Sequence, residues 1–371
     1  MGSQLNKICI LPGDGIGPEV VSQAVKVLHA IEEKYNHSFN LKYAKIGAIA
    51  IDHCGEPFPL ETYESCVESD AIILGAIGDP KYDRDPSLKI RPEQGLLAMR
   101  KALGLYANIR PIKTYTGLEH LSPLKPNILL NSDFVIFREL TGGIYFGEKI
   151  KGEKYSSDLC IYHDYEIERV TKFAFDFART RKKKITLVDK ANVLETSRLW
   201  RKIVQQIAQS YPDIELDFLY IDNAAMQVIL NPSRFDVVLC DNLFGDILSD
   251  EASVITGSIG MLPSSSIGEK HRLYEPIHGS YPQAAGRDIA NPIGTILSVE
   301  MMLRDFDYKE EADEIKNAVN FCIKYQLLTE DMKALHNCAC SQMGDIISTF
   351  ILEGKNGLKT KKIHEALSTI V

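Results

Sequence analysis

Short runs of apolar, often β-branched residues alternate with longer segments of helical period along this chain. Such alternation is typical of α/β proteins, in which helices pack against the faces of a sheet. The predicted strands cover residues 7–11, 71–74, 134–138, 184–189, 216–221 and 236–240. The predicted helices cover residues 18–34, 95–103, 166–179 and 194–210, and most of the chain beyond residue 270. The Ser/Gly/Pro-rich stretch 257–268 favours a crossover or a linker.

With 371 residues the chain is long for one hydrophobic core, so we expect two domains. Its net charge of −8 disfavours a nucleic-acid partner. No apolar run is long enough to cross a bilayer, and the first residues lead into a predicted strand without a signal-peptide or transit-peptide pattern. We therefore expect a cytoplasmic protein that does not bind membranes and whose eight cysteines are free thiols.

A glycine-rich turn with the sequence GDGIGP, at residues 13–18, follows the first predicted strand and opens a helix. It is similar to a dinucleotide-binding fingerprint, but its spacing is G-x-G-x-G-P and not G-x-G-x-x-G. No acidic residue ends a second strand about 20 positions later, where a ribose contact would need one. The sequence therefore predicts a tight turn near a ligand and not a Rossmann site.

Three arginines stand at the ends of predicted elements: Arg100, Arg110 and Arg138. A guanidinium group binds a carboxylate through two parallel hydrogen bonds, so this set favours a substrate with more than one carboxylate. Taken singly, each arginine also fits a surface ion pair.

Two aspartates, Asp246 and Asp250, lie four positions apart on a predicted helix, so their carboxylates face one side. Their repulsion would be relieved by a divalent cation with oxygen ligands, to which Asp222 at a strand end could add a third carboxylate. The alternative is a pair of solvated aspartates. Tyr145 and Lys190 also follow strand-like or turn segments, where a polar group can reach a cleft.

Six longer stretches carry a resemblance to a known family: LPGDGIGPEV, GLLAMRKALGLYANIRP, RELTGGIYFGE, VDKANVLETSRLWR, DNLFGDILSDEAS and LYEPIHGSYPQAAGRDIANPIGTILS. The chain resembles the β-decarboxylating dehydrogenases, which act on isocitrate, homoisocitrate, tartrate or isopropylmalate. The resemblance implies a two-domain α/β fold that is not a Rossmann fold. Its first domain would comprise residues 1–105 and 257–371, and its second residues 106–256. A protruding β arm near residues 147–165 would intertwine with the second subunit of a homodimer.

The resemblance also implies roles for single residues. The substrate carboxylates would be held by Arg100, Arg110 and Arg138. The ligands of Mg²⁺ or Mn²⁺ would be Asp222, Asp246 and Asp250. The catalytic residues would be Tyr145, Lys190 and Asp222, of which Lys190 and Asp222 come from the neighbouring subunit. Lys190 would take the hydroxyl proton through Asp222 or a water, and Tyr145 would later protonate C3.

By the same resemblance, the cofactor loop would contribute His278, Gly279, Ser280, Tyr281, Gln283 and Asn291. NAD-dependent relatives usually read HGSAPD here, and the aspartate accepts hydrogen bonds from the adenosine ribose. This chain reads HGSYPQ, which keeps a hydrogen-bonding group but removes the charge that repels a 2′-phosphate. We expect NAD as the cofactor, with weaker discrimination against NADP.

The helix before Arg100 would read the variable part of the substrate through Glu93, Leu96 and Leu97. Two leucines form an apolar pocket that fits an isopropyl group and would leave a third carboxylate unsolvated. We therefore expect isopropylmalate as the substrate. One alternative is a sister enzyme for D-malate or tartrate. Another is a non-catalytic regulatory subunit, which the presence of every expected catalytic residue disfavours.

Overall fold

The computed structural model describes residues 6–82, 84 and 88–357. Its strands are β1 (Asn6–Gly13), β2 (Phe39–Tyr43), β3 (Ala71–Ala76), β4 (Ala107–Lys113), β5 (Asp133–Glu139), β6 (Lys149–Lys151), β7 (Ser156–Asp158), β8 (Lys184–Asp189), β9 (Glu215–Tyr220), β10 (Val237–Cys240), β11 (Pro263–Ile267), β12 (Arg272–Pro276), β13 (Leu327–Leu328) and β14 (His336–Asn337). Its helices are α1 (Gly17–Tyr35), α2 (Ala48–Cys54), α3 (Leu60–Val67), α4 (Pro92–Ala102), α5 (Pro126–Leu129), α6 (Asp164–Arg179), α7 (Glu195–Ala208), α8 (Ile221–Leu230), α9 (Asn242–Thr256), α10 (Ile293–Asp305), α11 (Lys309–Lys324) and α12 (Cys340–Gly357).

One large sheet runs through the described part of the chain, in the order β2-β1-β3-β12-β11-β4-β5-β10-β8-β9. Its outer strands pair in parallel, whereas the central pairs β12–β11, β11–β4 and β4–β5 are antiparallel. β4 and β11 adjoin the two proposed domain boundaries. Helices cover both faces of this sheet, as the alternation of apolar runs and helical segments predicts.

The prediction of a linker at 257–268 is wrong for residues 263–267, which form the buried central strand β11. Its three serines hid the strand, because polar side chains in a strand are read as exposed. Two of these buried hydroxyls have hydrogen-bond partners: the Asn108 side-chain amide donates to Ser264 and Ser266, and the Ser264 hydroxyl donates to the Glu275 carbonyl at 3.0 Å.

A separate antiparallel hairpin, β6–β7, lies where the β arm is predicted. All six of its strand residues are exposed. A two-stranded hairpin is marginally stable alone in water, so this one would gain from a second chain beside it. The β-structure of the arm is thus confirmed, and its pairing with another subunit stays a prediction.

Apolar clusters lie on both faces of the sheet, since Val135 and Phe137 of β5 belong to one cluster and Phe134 and Ile136 to another. The largest packs α1, α10, α11 and α12 against β1 and β3, and a second packs α6 and α7 against β5 and β8. The eight cysteines are free thiols, as predicted, and six of them are buried. Among the described helices, none is both long and apolar enough to cross a membrane.

Candidate active site

Two of the predicted arginines meet above the sheet between β4, β5 and α9. Arg138 is buried, and its side chain donates to the carbonyl and the side-chain oxygen of Asn242 at 2.9 and 2.8 Å. Arg110, also buried, donates to Asn108 at 2.6 Å and to Ser249 at 2.5 Å. Burial lowers the pKa of both guanidinium groups, that of Arg138 to about 9. Two buried cations side by side form a strong anion-binding position.

The carboxylates on α9 face these arginines. Asp246 forms an ion pair with Arg138 and lies 3.5 Å from an amino group of Arg110. Asp250, one turn later, lies 3.6 Å from Arg110 and keeps 63% of its side chain exposed. The Tyr145 hydroxyl donates to Asp246 at 2.9 Å. The structure therefore brings together five predicted site residues, and the two arginines neutralise the aspartates whose repulsion the sequence indicates.

Lys190 and Asp222 form a second group. Lys190 directly follows β8, Asp222 lies in the first turn of α8, and their charged atoms are 2.9 Å apart. A hydrogen bond from Lys190 lowers the pKa of the exposed Asp222 carboxyl. Within the described ranges, no hydrogen bond or ion pair joins this pair to Asp246 or Asp250. One chain thus presents two separate halves of the predicted site.

Arg100 lies at the end of α4. Among the described residues it shares no hydrogen-bond or ion-pair partner with the other two arginines. It is buried and donates to the Glu275 carboxylate on β12 at 3.2 Å, while its Nε has no partner among the described residues. Sequence reasoning missed Glu275, as it missed Asn108, Asn242 and Ser249. Glu275 lies within the LYEPIHGS stretch, directly after the apolar residues Leu273 and Tyr274, and a charged residue in such a strand is the signal that could have identified it.

The residues predicted to read the variable part of the substrate lie on α4, one to two turns before Arg100. Leu96 is half-buried against an apolar cluster, Leu97 is half-buried, and Glu93 is exposed. A Cβ atom at Gly78 would meet the Glu93 carboxylate at 3.1 Å and the Ser280 hydroxyl at 3.2 Å. The beginning of α4 and the predicted cofactor loop therefore face each other across Gly78.

The glycine turn after β1 lies beside the same loop. The Ile16 amide donates to the Ser280 carbonyl at 2.8 Å, and Gly15 has a φ of +58°. A Cβ atom at Gly15 would lie 2.0 Å from the Ser280 carbonyl oxygen, so a larger residue cannot occupy this position. The buried Asp14 carboxylate, which sequence reasoning missed, accepts the amides of Ala48, Ile49 and Gly78 and holds three loops together.

The loop itself offers polar groups of different kinds. His278 is buried, burial lowers its pKa, and its Nε2 has no hydrogen-bond partner among the described residues. Tyr281 and Gln283 are exposed. Asn291 points inward instead: its side chain donates to Asp331 at 3.1 Å and accepts from the Ile293 amide at 3.0 Å. A neutral imidazole with a free nitrogen can bind a polar heterocycle, and the two exposed side chains can contact a ligand beyond it.

A family model described as isocitrate/isopropylmalate dehydrogenase matches residues 7–347. The chain belongs to this family. A 3-isopropylmalate dehydrogenase of Bacteroides fragilis (strain YCH46) is 52% identical over 327 residues, which are 88% of this chain and 93% of that relative. Another, from Listeria innocua, is 54% identical over 88% of this chain and 93% of its own length.

Solved structures agree with the isocitrate/isopropylmalate dehydrogenase assignment. The crystal structure of isocitrate dehydrogenase from Methylococcus capsulatus superposes with a TM-score of 0.85 at 34% identity, over 94% of this chain and 100% of that one. A β-decarboxylating dehydrogenase from Thermococcus kodakarensis superposes with a TM-score of 0.75 at 35% identity, over 94% and 96% of the two chains. The predicted fold class and the predicted enzyme class, a decarboxylating dehydrogenase, are therefore confirmed.

Proposed function

We propose that this enzyme oxidises and decarboxylates (2R,3S)-3-isopropylmalate to 4-methyl-2-oxopentanoate in leucine biosynthesis, with reduction of NAD. The observation that carries the proposal is the apolar pair Leu96–Leu97 on the same helix as Arg100. Relatives called 3-isopropylmalate dehydrogenase, at 50–54% identity over most of the chain, support it.

Substrate binding follows from the buried arginines. Arg110 and Arg138 lie close enough to bind one carboxylate jointly, and Arg100 can bind another from the first part of the chain. In this structure the arginines form ion pairs with Asp246, Asp250 and Glu275. An incoming dianion would compete with these carboxylates for the guanidinium groups. A desolvated bidentate contact of this kind discriminates strongly between a diacid and its amide.

The metal fits the donors that the chain presents. Asp246 and Asp250 hold hard carboxylate oxygens on successive turns of α9, and Asp222 would add a third from a partner subunit. Asp250 keeps 63% of its side chain exposed, so a cation can reach its carboxylate. Mg²⁺ and Mn²⁺ both prefer such ligands.

NAD fits the loop that starts at His278. The unpartnered His278 Nε2 and the exposed Tyr281 and Gln283 form one face, and no described atom lies within 4 Å of the Cβ position at Gly279. Ser280 and Asn291 complete the loop on its protein side. When bound, the metal supplies Lewis-acid stabilisation of negative charge and the nicotinamide supplies a two-electron acceptor.

The proton transfers belong to the chain's own side chains. Lys190 would accept the proton of the C2 hydroxyl, with Asp222 at 2.9 Å to receive it or to hold the ammonium group in place. Tyr145 would donate its phenolic proton to C3 after CO₂ has left. Its hydroxyl already lies at the carboxylate–arginine cluster, and Arg138 stacks over its ring at 5.7 Å.

A homodimer with shared active sites would unite the two halves. Large apolar side chains near Asp222 and on α9 are exposed, among them Met226, Leu230 and Ile247. Such a patch on neighbouring helices is typical of an interface between subunits. We propose that two chains pair here and through the β6–β7 hairpin. In each chain, one domain would comprise residues 1–105 and 257–371, and the other residues 106–256. Eight free thiols fit the cytoplasm.

The first test compares racemic 3-isopropylmalate, isocitrate, D-malate and tartrate as substrates of the purified enzyme with NAD and Mg²⁺ or Mn²⁺. We expect kcat/KM for isopropylmalate to exceed that for isocitrate by at least about a hundredfold, because a third carboxylate would be buried among leucines without a partner. D-malate, which lacks the branched group, should fall about tenfold or more below isopropylmalate. A preference for D-malate or tartrate would support the sister-enzyme alternative, and no turnover would support a regulatory subunit.

A second test concerns Gln283, which is exposed in the cofactor loop. Gln283→Asp is expected to raise the ratio of kcat/KM for NAD to that for NADP about tenfold, since the carboxylate accepts the ribose hydroxyls and repels a 2′-phosphate. Gln283→Asn, which shortens the side chain without adding charge, is the matched control and should leave the ratio near that of the wild type. If both variants shift the ratio equally, charge at this position does not select the cofactor.

A further inference from the structure

A cavity of about 440 Å³ lies on the face of the sheet opposite the arginine–aspartate cluster. Side chains of successive strand residues point to opposite faces, so Ile109, Pro111 and Lys113 of β4 line the cavity while Arg110 enters the candidate active site. The other wall comes from α10 and α11. The cavity therefore lies between the two proposed domains and is separated from the active site by the sheet itself.

Part of the wall of this cavity consists of apolar aromatic and aliphatic side chains. Phe173 and Phe177 extend from α6, where each contacts Phe137 with ring centroids 5.6 and 5.1 Å apart. Across from them, Met301 packs against both large core clusters, and Leu297 is buried beside it. An apolar cavity with a few polar groups at its edge is the usual form of a small-molecule site.

The charged residues around the cavity are not balanced. Among the described residues that line it, three arginines are each paired with an acid: Arg181 with Asp133, Arg272 with Asp305, and Arg304 with Glu300. Two further cations, Lys113 and Lys316, have no carboxylate within ion-pair distance in the described part of the chain.

The positive charges of Lys113 and Lys316 repel each other. Lys113 is half-buried and its ammonium group lies 4.6 Å from the centre of the Tyr115 ring. Burial, and then the neighbouring Lys316 charge, lower the pKa of Lys113, and the Glu300 and Asp133 carboxylates oppose this shift only in part. Two unpaired cations near each other at an apolar cavity are stabilised by an anion between them.

We propose that this cavity binds a small monocarboxylate with a bulky apolar group, its carboxylate between Lys113 and Lys316 and its apolar group against Phe173, Phe177 and Met301. A single carboxylate can accept hydrogen bonds from both lysines, and the apolar part of the wall matches a bulky apolar group. The ligand would contact both proposed domains at once, on the opposite side of β4 from Arg110.

The test uses 3-phenylpropanoate and its neutral analogue 3-phenylpropanamide, titrated by calorimetry into the full-length enzyme. We expect the acid to bind and the amide to bind at least about tenfold more weakly. Lys113→Gln should weaken acid binding about tenfold and the exposed Lys316→Gln about threefold. Lys324→Gln, two turns further along α11 and outside the cavity, is the matched control and should bind as the wild type does.

Arg110→Lys separates this cavity from the substrate site. It alters the opposite face of β4, so acid binding should be unchanged in it. Loss of acid binding in Arg110→Lys together with unchanged binding in Lys113→Gln would overturn the proposal, because the acid would then occupy the substrate site. Equal affinities of the acid and the amide, or unchanged acid binding in both lysine variants, would overturn it as well. The binding readout does not depend on the proposed substrate.

Discussion

Replacing Lys190 with methionine is expected to lower kcat by about a hundredfold to ten-thousandfold, with the loss falling on the oxidation step. Methionine keeps the length of the side chain but cannot accept the hydroxyl proton, and it leaves Asp222 without the Lys190 nitrogen that lies 2.9 Å away. The measurement is the rate of cofactor reduction in the first turnover, with substrate and metal in excess. The matched control is Lys172→Met, at an exposed lysine on α6, which should turn over as the wild type does.

The same variant tests whether the active site is shared between subunits. Asp246→Asn, which alters the other half of the site, should also be nearly inactive alone. When the Lys190→Met and Asp246→Asn chains are coexpressed with different tags and purified as a heterodimer, one of its two sites is intact. We therefore expect about half of the wild-type activity per dimer. A heterodimer as inactive as either parent would contradict a shared site.

The fold class could be predicted because local signals agree with the final structure. The apolar runs at residues 7–11 and 184–189 are buried strands, and residues 166–179 form a helix with its apolar side on the sheet. β11 could not be predicted this way. Its serines are stabilised by Asn108, about 157 positions earlier in the chain, and no local pattern records a partner at that distance.

The site was predictable to a similar extent. Asp246 and Asp250 are recognisable by their helical spacing and Arg110 and Arg138 by their place at the ends of predicted elements, and the structure brings these four together. Glu275 was missed because its partner Arg100 lies 175 positions earlier. Lys190 makes no described contact with Asp246 or Asp250 within one chain. Its predicted approach to them from a second subunit therefore rests on the resemblance alone.

Replacing Tyr145 with phenylalanine is expected to lower steady-state kcat by about a hundredfold or more, because the phenolic proton proposed for C3 is lost. The ring and its contact with Arg138 at 5.7 Å remain, so substrate binding should change little. Oxidation precedes this protonation in the proposed sequence of steps. The reduced cofactor should therefore still form in a rapid first turnover, followed by a slow steady state, when mixing is followed by stopped-flow absorbance.

The two variants should thus differ in the rate of the first turnover, and this difference distinguishes the role of Lys190 from that of Tyr145. Lys190→Met should show a slow first turnover, whereas Tyr145→Phe should show a fast one and accumulate the oxidised substrate or its decarboxylated product before release. Tyr43→Phe removes the hydroxyl from an exposed tyrosine on β2 and is the matched control, with wild-type kinetics expected. A slow first turnover in Tyr145→Phe would move Tyr145 to the oxidation step, and an unchanged steady state would remove it from the proton transfers altogether.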